Sequence, residues 1–257
     1  MSEPDYLQSD QMDSLHMMLK DLPESPRVLP LNCEIRGHPS FFPGGRGYKG
    51  PAFPQSPIMF LGHNFDTCCG FYRSVKRGNE DPKIKTWANI RKYFLPTADL
   101  KEEECFFTNF YLGAIIPEPI EETKKKKTNK EKFECPKNTG AFPGSKSYRD
   151  GCIEALRTQV KIVRPRVIAL LGRHVPPRFL EAYPKCVEAF PDDTSFWSSG
   201  KLADIQLKQP LSGYRLELPN DLQVQVICLV HPSNPRSNKS HCYQGSILGS
   251  AVNASRE

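Results

Sequence analysis

The stretch IMFLGHNFDTCCGF, Ile58 to Phe71, decides how the chain is read. IMFLG (58–62) is a short, unbroken apolar run of the kind a strand shows when both of its faces are covered. It is followed at once by His63, Asn64 and Asp66. A buried strand with polar side chains at its mouth has the form of a ligand-facing strand in an open parallel sheet, where ligands bind beyond the carboxyl ends.

Working outward, three further runs repeat that form. CFFTNFYLG (105–113) is a strand with Thr108 and Asn109 towards its end. RVIALLG (166–172) leads into Arg173 and His174, and VQVICLVHP (224–232) runs straight into His231, Pro232 and Ser233. Between them lie helical patterns. TWANIRKYFL (86–95) is one, and SYRDGCIEALRTQVKIV (147–163), with Cys152, Ile153, Leu156, Val160 and Val163 near one face, is another. A short helix starts at about His174, and SNKSHCYQGSILGSAV (237–252) closes the chain as a helix. Strands alternating with helices imply a single three-layer α/β/α domain around a central, four-stranded, mostly parallel sheet. The four polar strand ends then converge on one rim.

Outside this core, residues 6–20 fit an amphipathic helix, and 22–57 are too rich in Pro and Gly for regular structure. The expected organisation is a helix and Pro/Gly-rich arm over 1–55 and the α/β domain over 56–257. A basic insertion interrupts that domain at about 118–146, carrying KKKKTNKEK (124–132).

Composition narrows the function classes. The chain has 257 residues, 38% hydrophobic and 25% charged, with no window of eighteen apolar residues and an acidic rather than apolar N-terminus. A cytoplasmic location is expected, or a nuclear one in a eukaryote. The nine cysteines contain no CxxC pair and are read as reduced thiols without zinc or cluster spacing. Residues 1–25 carry a net −5, leaving +11 on the rest of a chain whose formal charge is +6. So basic a body suits a polyanionic partner. There is no G-x-S-x-G nucleophile elbow and no phosphate-cradling Gly loop.

GHNFD after the first strand and HPSNPR (231–236) after the last resemble the two motifs of the uracil-DNA glycosylase superfamily, G-x-[DN]-P-[YG] and H-P-S. FFTNFYLG and PRVIALLGRHV are similar to its second and third strands. The ordered set covers roughly residues 55–250. The resemblance implies a DNA glycosylase that hydrolyses the N-glycosidic bond of uracil or a related deaminated base, as a monomer acting on DNA with no metal and no cofactor. A flipped base would sit in the rim pocket.

By the same resemblance, His231 donates to the leaving base and Asn64 positions water. Asn109 pairs with the base edge, and Phe71 offers a stacking face. Ser233 and Arg236 contact phosphates, and Gly62 and the backbone around His63 line the pocket. Two departures stand out, because Phe65 replaces the usual Pro and Asp66 the usual Tyr or Gly. Asp66 is either a replacement general base, since an amide cannot take up a proton, or the mark of a changed substrate. The alternative function is a catalytically inactive, nucleic-acid-binding protein on the same fold.

Overall fold

The computed structural model describes residues 9–30, 57–64, 85–116, 142, 144–189, 209–233 and 238–256. A five-stranded sheet runs through the middle in the order β3-β2-β5-β7-β6. Its strands are β2 (Ile58–Asn64), β3 (Cys105–Tyr111), β5 (Val167–Leu171), β6 (Tyr214–Leu218) and β7 (Leu222–Leu229). β2, β3, β5 and β7 pair in parallel. They are the four strands expected from sequence. Each is buried almost throughout, so its apolar run has no polar alternation to show.

The fifth strand, β6, was not expected. It joins the edge antiparallel to β7 and alternates inside and outside, with Tyr214, Leu216 and Leu218 buried and Arg215 and Glu217 exposed. The hairpin turn between them places Asn220 and Asp221 at φ 67° and 54°, left-handed values those side chains tolerate.

Helices cover both faces. On one side lie α1 (Ser9–Lys20), α4 (Lys146–Val163) and α5 (Val175–Ala182), over a core that includes Leu15, Met59, Phe106, Leu156, Ile168 and Val226. On the other lie α2 (Lys85–Asn89), a π-helical turn (Ile90–Phe94), α3 (Leu95–Thr97) and α6 (Asn238–Ala254), over Phe60, Phe94, Phe107, Ala169, Leu229 and Leu248. None of the described helices is long and apolar enough to cross a membrane.

Local chemistry sets the helix ends. Ser145 caps α4 by accepting the Tyr148 N–H at 3.2 Å, and α4 stops where Arg164 turns left-handed (φ 47°) just before Pro165. The buried Thr108 hydroxyl donates to Gln159 Oε1 at 2.7 Å, so two polar groups that burial would penalise bind β3 to α4.

One expectation fails within 22–57. Val28–Pro30 forms a short strand, β1, that pairs antiparallel with β4 (Gly113–Ile115), and the Ile116 N–H donates to the Arg27 carbonyl at 2.8 Å. That pairing spans more than eighty residues, so no local pattern announces it. Residues 31–56, the lysine run at 124–127 and most of the basic insertion lie outside the described residues.

Candidate active site

Register brings the strand ends level. Gly62 stands opposite Asn109, Asn64 opposite Tyr111, and Leu171 opposite Leu229, with the Gly172 N–H donating to the Leu229 carbonyl at 2.8 Å. Gly62, His63, Asn64, Asn109, Gly172, His174, His231 and Ser233 therefore share the carboxyl rim of the sheet.

Two glycines make room there. A Cβ on Gly62 would fall 2.1 Å from Asn109 Oδ1, so the Asn109 side chain lies across space that only glycine leaves empty. Asn109 is 1% exposed, and its buried Nδ2 has no hydrogen-bond partner among the described residues. A buried amide donor of this kind is able to pair with an acceptor such as a carbonyl oxygen. Gly172 has φ +88°, and a Cβ on it would press within 3.1 Å of His231 Cβ.

The protonation states of two histidines follow from their partners. The Ser233 backbone N–H donates to His231 Nδ1 at 3.3 Å, and the Ser233 hydroxyl is 2.7 Å from the same nitrogen. Nδ1 is thus an acceptor, and in the neutral ring the proton sits on Nε2. Burial pushes His231 down to about 4, so the ring is neutral at pH 7.

His63 Nδ1 is 2.8 Å from Asn64 Oδ1. An amide oxygen only accepts, so Nδ1–H is the donor, and Nε2 becomes a buried acceptor without a partner among the described residues. Burial pulls His63 down to about 4 as well. The Asn64 bond opposes that shift, and His174, Arg178 and His231 reinforce it. The His63 ring packs edge-on to Tyr111, with centroids 5.2 Å apart, and lies 5.4 Å from His174. Tyr111 in turn stacks on Phe142 at 4.1 Å. Burial, then Arg173 and Arg178, also lowers His174.

The two depressed histidines carry a stability signature. Between pH 6.5 and about 4 the unfolded chain binds protons on these rings that the folded chain refuses. Their contribution is full above pH 6.5 and is lost as pH falls through that window, by up to ~3 kcal/mol per ring. Thermal melts at pH 7 and pH 4.5 should show a lower melting temperature at pH 4.5, and His63→Gln should shrink the difference. An undiminished difference in that variant would rule out His63 as a source.

Of the residues expected from sequence, Gly62, His63, Asn64, Asn109, His231 and Ser233 lie on the rim. Asp66, Phe71 and Arg236 lie outside the described residues, as does Phe65. His63 was among the residues expected, and the structure adds the bond from its ring to Asn64 and the Tyr111–Phe142 pair beside it. The alternation of β2 against β3 could have signalled Tyr111, but only with the register known. Among the described residues no three His, Cys, Asp or Glu side chains gather as metal ligands. Cys105, Cys152, Cys186, Cys228 and Cys242 form no disulfides among the described residues.

No curated protein matches the chain at a significant level. The profile of the Uracil DNA glycosylase superfamily matches residues 53–245, which contain the whole rim.

Proposed function

Because the chain belongs to the uracil-DNA glycosylase superfamily, whose members are DNA glycosylases in general, we propose that it is a monofunctional DNA glycosylase removing uracil or a related deaminated base. The observation that carries this reading is His231. Burial holds its pKa down at about 4, and Ser233 occupies Nδ1, which leaves Nε2–H as the donor at the rim.

The chemistry needs such a donor. When the bond between C1′ and the base nitrogen breaks, the electron pair leaves with the base and the sugar becomes oxocarbenium-like. The departing base develops negative charge on its carbonyl oxygen, and a fixed neutral N–H aimed there stabilises the transition state more than the ground state. A protonated ring would carry a hydrogen on Nδ1 as well and could not accept the Ser233 N–H there. The open Asn109 Nδ2 supplies a second donor for a base carbonyl.

Water then adds to C1′ and loses a proton. Asn64, held through Oδ1 by His63, is suited to orienting that water but not to taking its proton. Asp66 is the candidate base for that proton, through its place in the first motif. Phe71 would stack the base, and Arg236 and Ser233 would contact phosphates. The lysine-rich insertion would add non-specific affinity for DNA, the coarse partner class the family implies.

A second reading, a binding protein without glycosylase activity, is favoured by Phe65 and Asp66 in the first motif. The test is a panel of labelled oligonucleotides bearing uracil, hypoxanthine or xanthine under excess enzyme. Alkali-labile scission on one of them names the base. Intact strands with DNA binding retained select the second reading.

A further inference from the structure

The parallel ladder that supports β7 ends at the Leu171–Leu229 pair. Beyond it the chain must present His231 at a fixed point where none of the described strands lies alongside to hold it. Two side-chain amides take that place. The Val230 N–H donates to Gln244 Oε1 at 2.9 Å, and the Pro232 carbonyl accepts from Asn89 Nδ2 at 2.6 Å. They grip the backbone one residue before and one residue after His231.

Both amides are themselves placed by tight packing. Gln244 is 2% exposed and sits in α6 next to Gly245. A Cβ on Gly245 would fall 2.7 Å from the Tyr93 carbonyl in the π-helical turn, so α6 and that turn meet backbone to backbone. Asn89 is the residue on which the π-helical turn begins, and its side chain makes no capping bond to that turn. The amide is free to reach the Pro232 carbonyl instead. Asn89 Nδ2 also lies 3.4 Å from His241 Nε2, and the His241 ring stacks on Tyr93 with centroids 5.5 Å apart. Since an amide nitrogen only donates, His241 Nε2 accepts, and the two N–H groups of Asn89 are aimed by two different elements. π-helical turns are frequent at functional sites, and here the turn sets Asn89 against the loop that follows β7.

We propose that Asn89 and Gln244 are positioning residues that clamp the backbone on either side of His231 and so hold its Nε2–H on the departing base. This rests on the glycosylase reading, in which His231 is the donor. A displacement of about 1 Å in such a group is enough to cost on the order of a hundredfold in rate without altering what the site binds.

The test uses the full chain with Asn89→Asp and Asn89→Leu. Aspartate keeps the shape but turns an oxygen towards the Pro232 carbonyl. Among the described residues the titratable group that faces it is His241, 3.4 Å from Asn89 Nδ2, and leucine removes the donor without adding a charge for His241 to meet. Both variants should lower the single-turnover rate about 10- to 100-fold, with KM within about twofold of wild type and binding of an intact-base duplex unchanged. An unchanged rate in both variants overturns the clamp.

If the wild type releases no base, the glycosylase reading fails, and the clamp is still decided by the nitrogen resonances of His231. In the wild type they should report a bare Nδ1 and a protonated Nε2. In both variants they should move towards averaged values. His231 signals that do not move in either variant overturn the clamp whatever the activity.

Discussion

Replacing His231 by alanine should slow base release by about 10²- to 10³-fold, the usual consequence of removing one preorganised donor from a developing anion. The loss should fall on the rate of the chemical step and leave duplex binding nearly unchanged. In the proposed mechanism the Nε2–H interaction strengthens only as the base takes on charge, and phosphate contacts dominate affinity for DNA. The fold should survive. His231 lies past the end of β7 and the ladder, so the substitution removes no strand hydrogen bond. His231→Gln returns an N–H but not the rigid ring braced by Ser233, and should recover only part of the rate. A His231→Ala protein that releases base at the wild-type rate would remove His231 from the chemistry.

The second large effect is expected at a residue with no side chain. Gly62→Ala puts a methyl group 2.1 Å from Asn109 Oδ1, well inside contact distance. Gly62 and Asn109 are paired partners in adjacent parallel strands buried on both faces, so neither backbone has room to yield. The Asn109 side chain must therefore swing away, carrying its Nδ2 out of line with the base carbonyl it is proposed to meet. The expected cost is ~1–3 kcal/mol in stability from overpacking, together with a rate loss of about a hundredfold.

A double variant separates the two effects. In an Asn109→Gly background the clash partner is gone, so adding Gly62→Ala should cost little further stability, and the two substitutions should be strongly non-additive. Melting temperatures of the four proteins measure this. Additive losses would mean that the crowding at Gly62 lies elsewhere.

These two residues also show how far the sequence could be read. The four parallel strands were legible because a strand covered on both faces is an unbroken apolar run, and the polar residues ending each run fall on one rim by topology alone. That is why Gly62, Asn109 and His231 could be picked out together, and why the superfamily match spans them. β6 carried a readable alternation, but over only five residues. β1 and β4 could not be found locally, since neither three-residue strand has meaning without the other.

The finer parts of the site depend on distances that sequence does not encode. Asn89 and Pro232 are 143 positions apart, yet they share a hydrogen bond. That the His63 ring, rather than its backbone alone, has a part in the site depends on which atom of Asn64 it meets. The π-helical turn at Ile90–Phe94 reads locally as ordinary helix. Its departure from α-helical form accompanies close packing against α6.

Fold alone does not establish chemistry, because one architecture hosts binding and catalysis alike. The most direct measurement is therefore of the product itself. A duplex with a single uracil, incubated with excess protein, would be followed for free base and for an abasic strand by mass spectrometry. The account predicts free uracil, or the equivalent base from a hypoxanthine or xanthine duplex, in step with an abasic strand whose backbone stays whole until alkali is added. Duplexes that remain chemically intact with all three bases, while the protein still binds them, would contradict it.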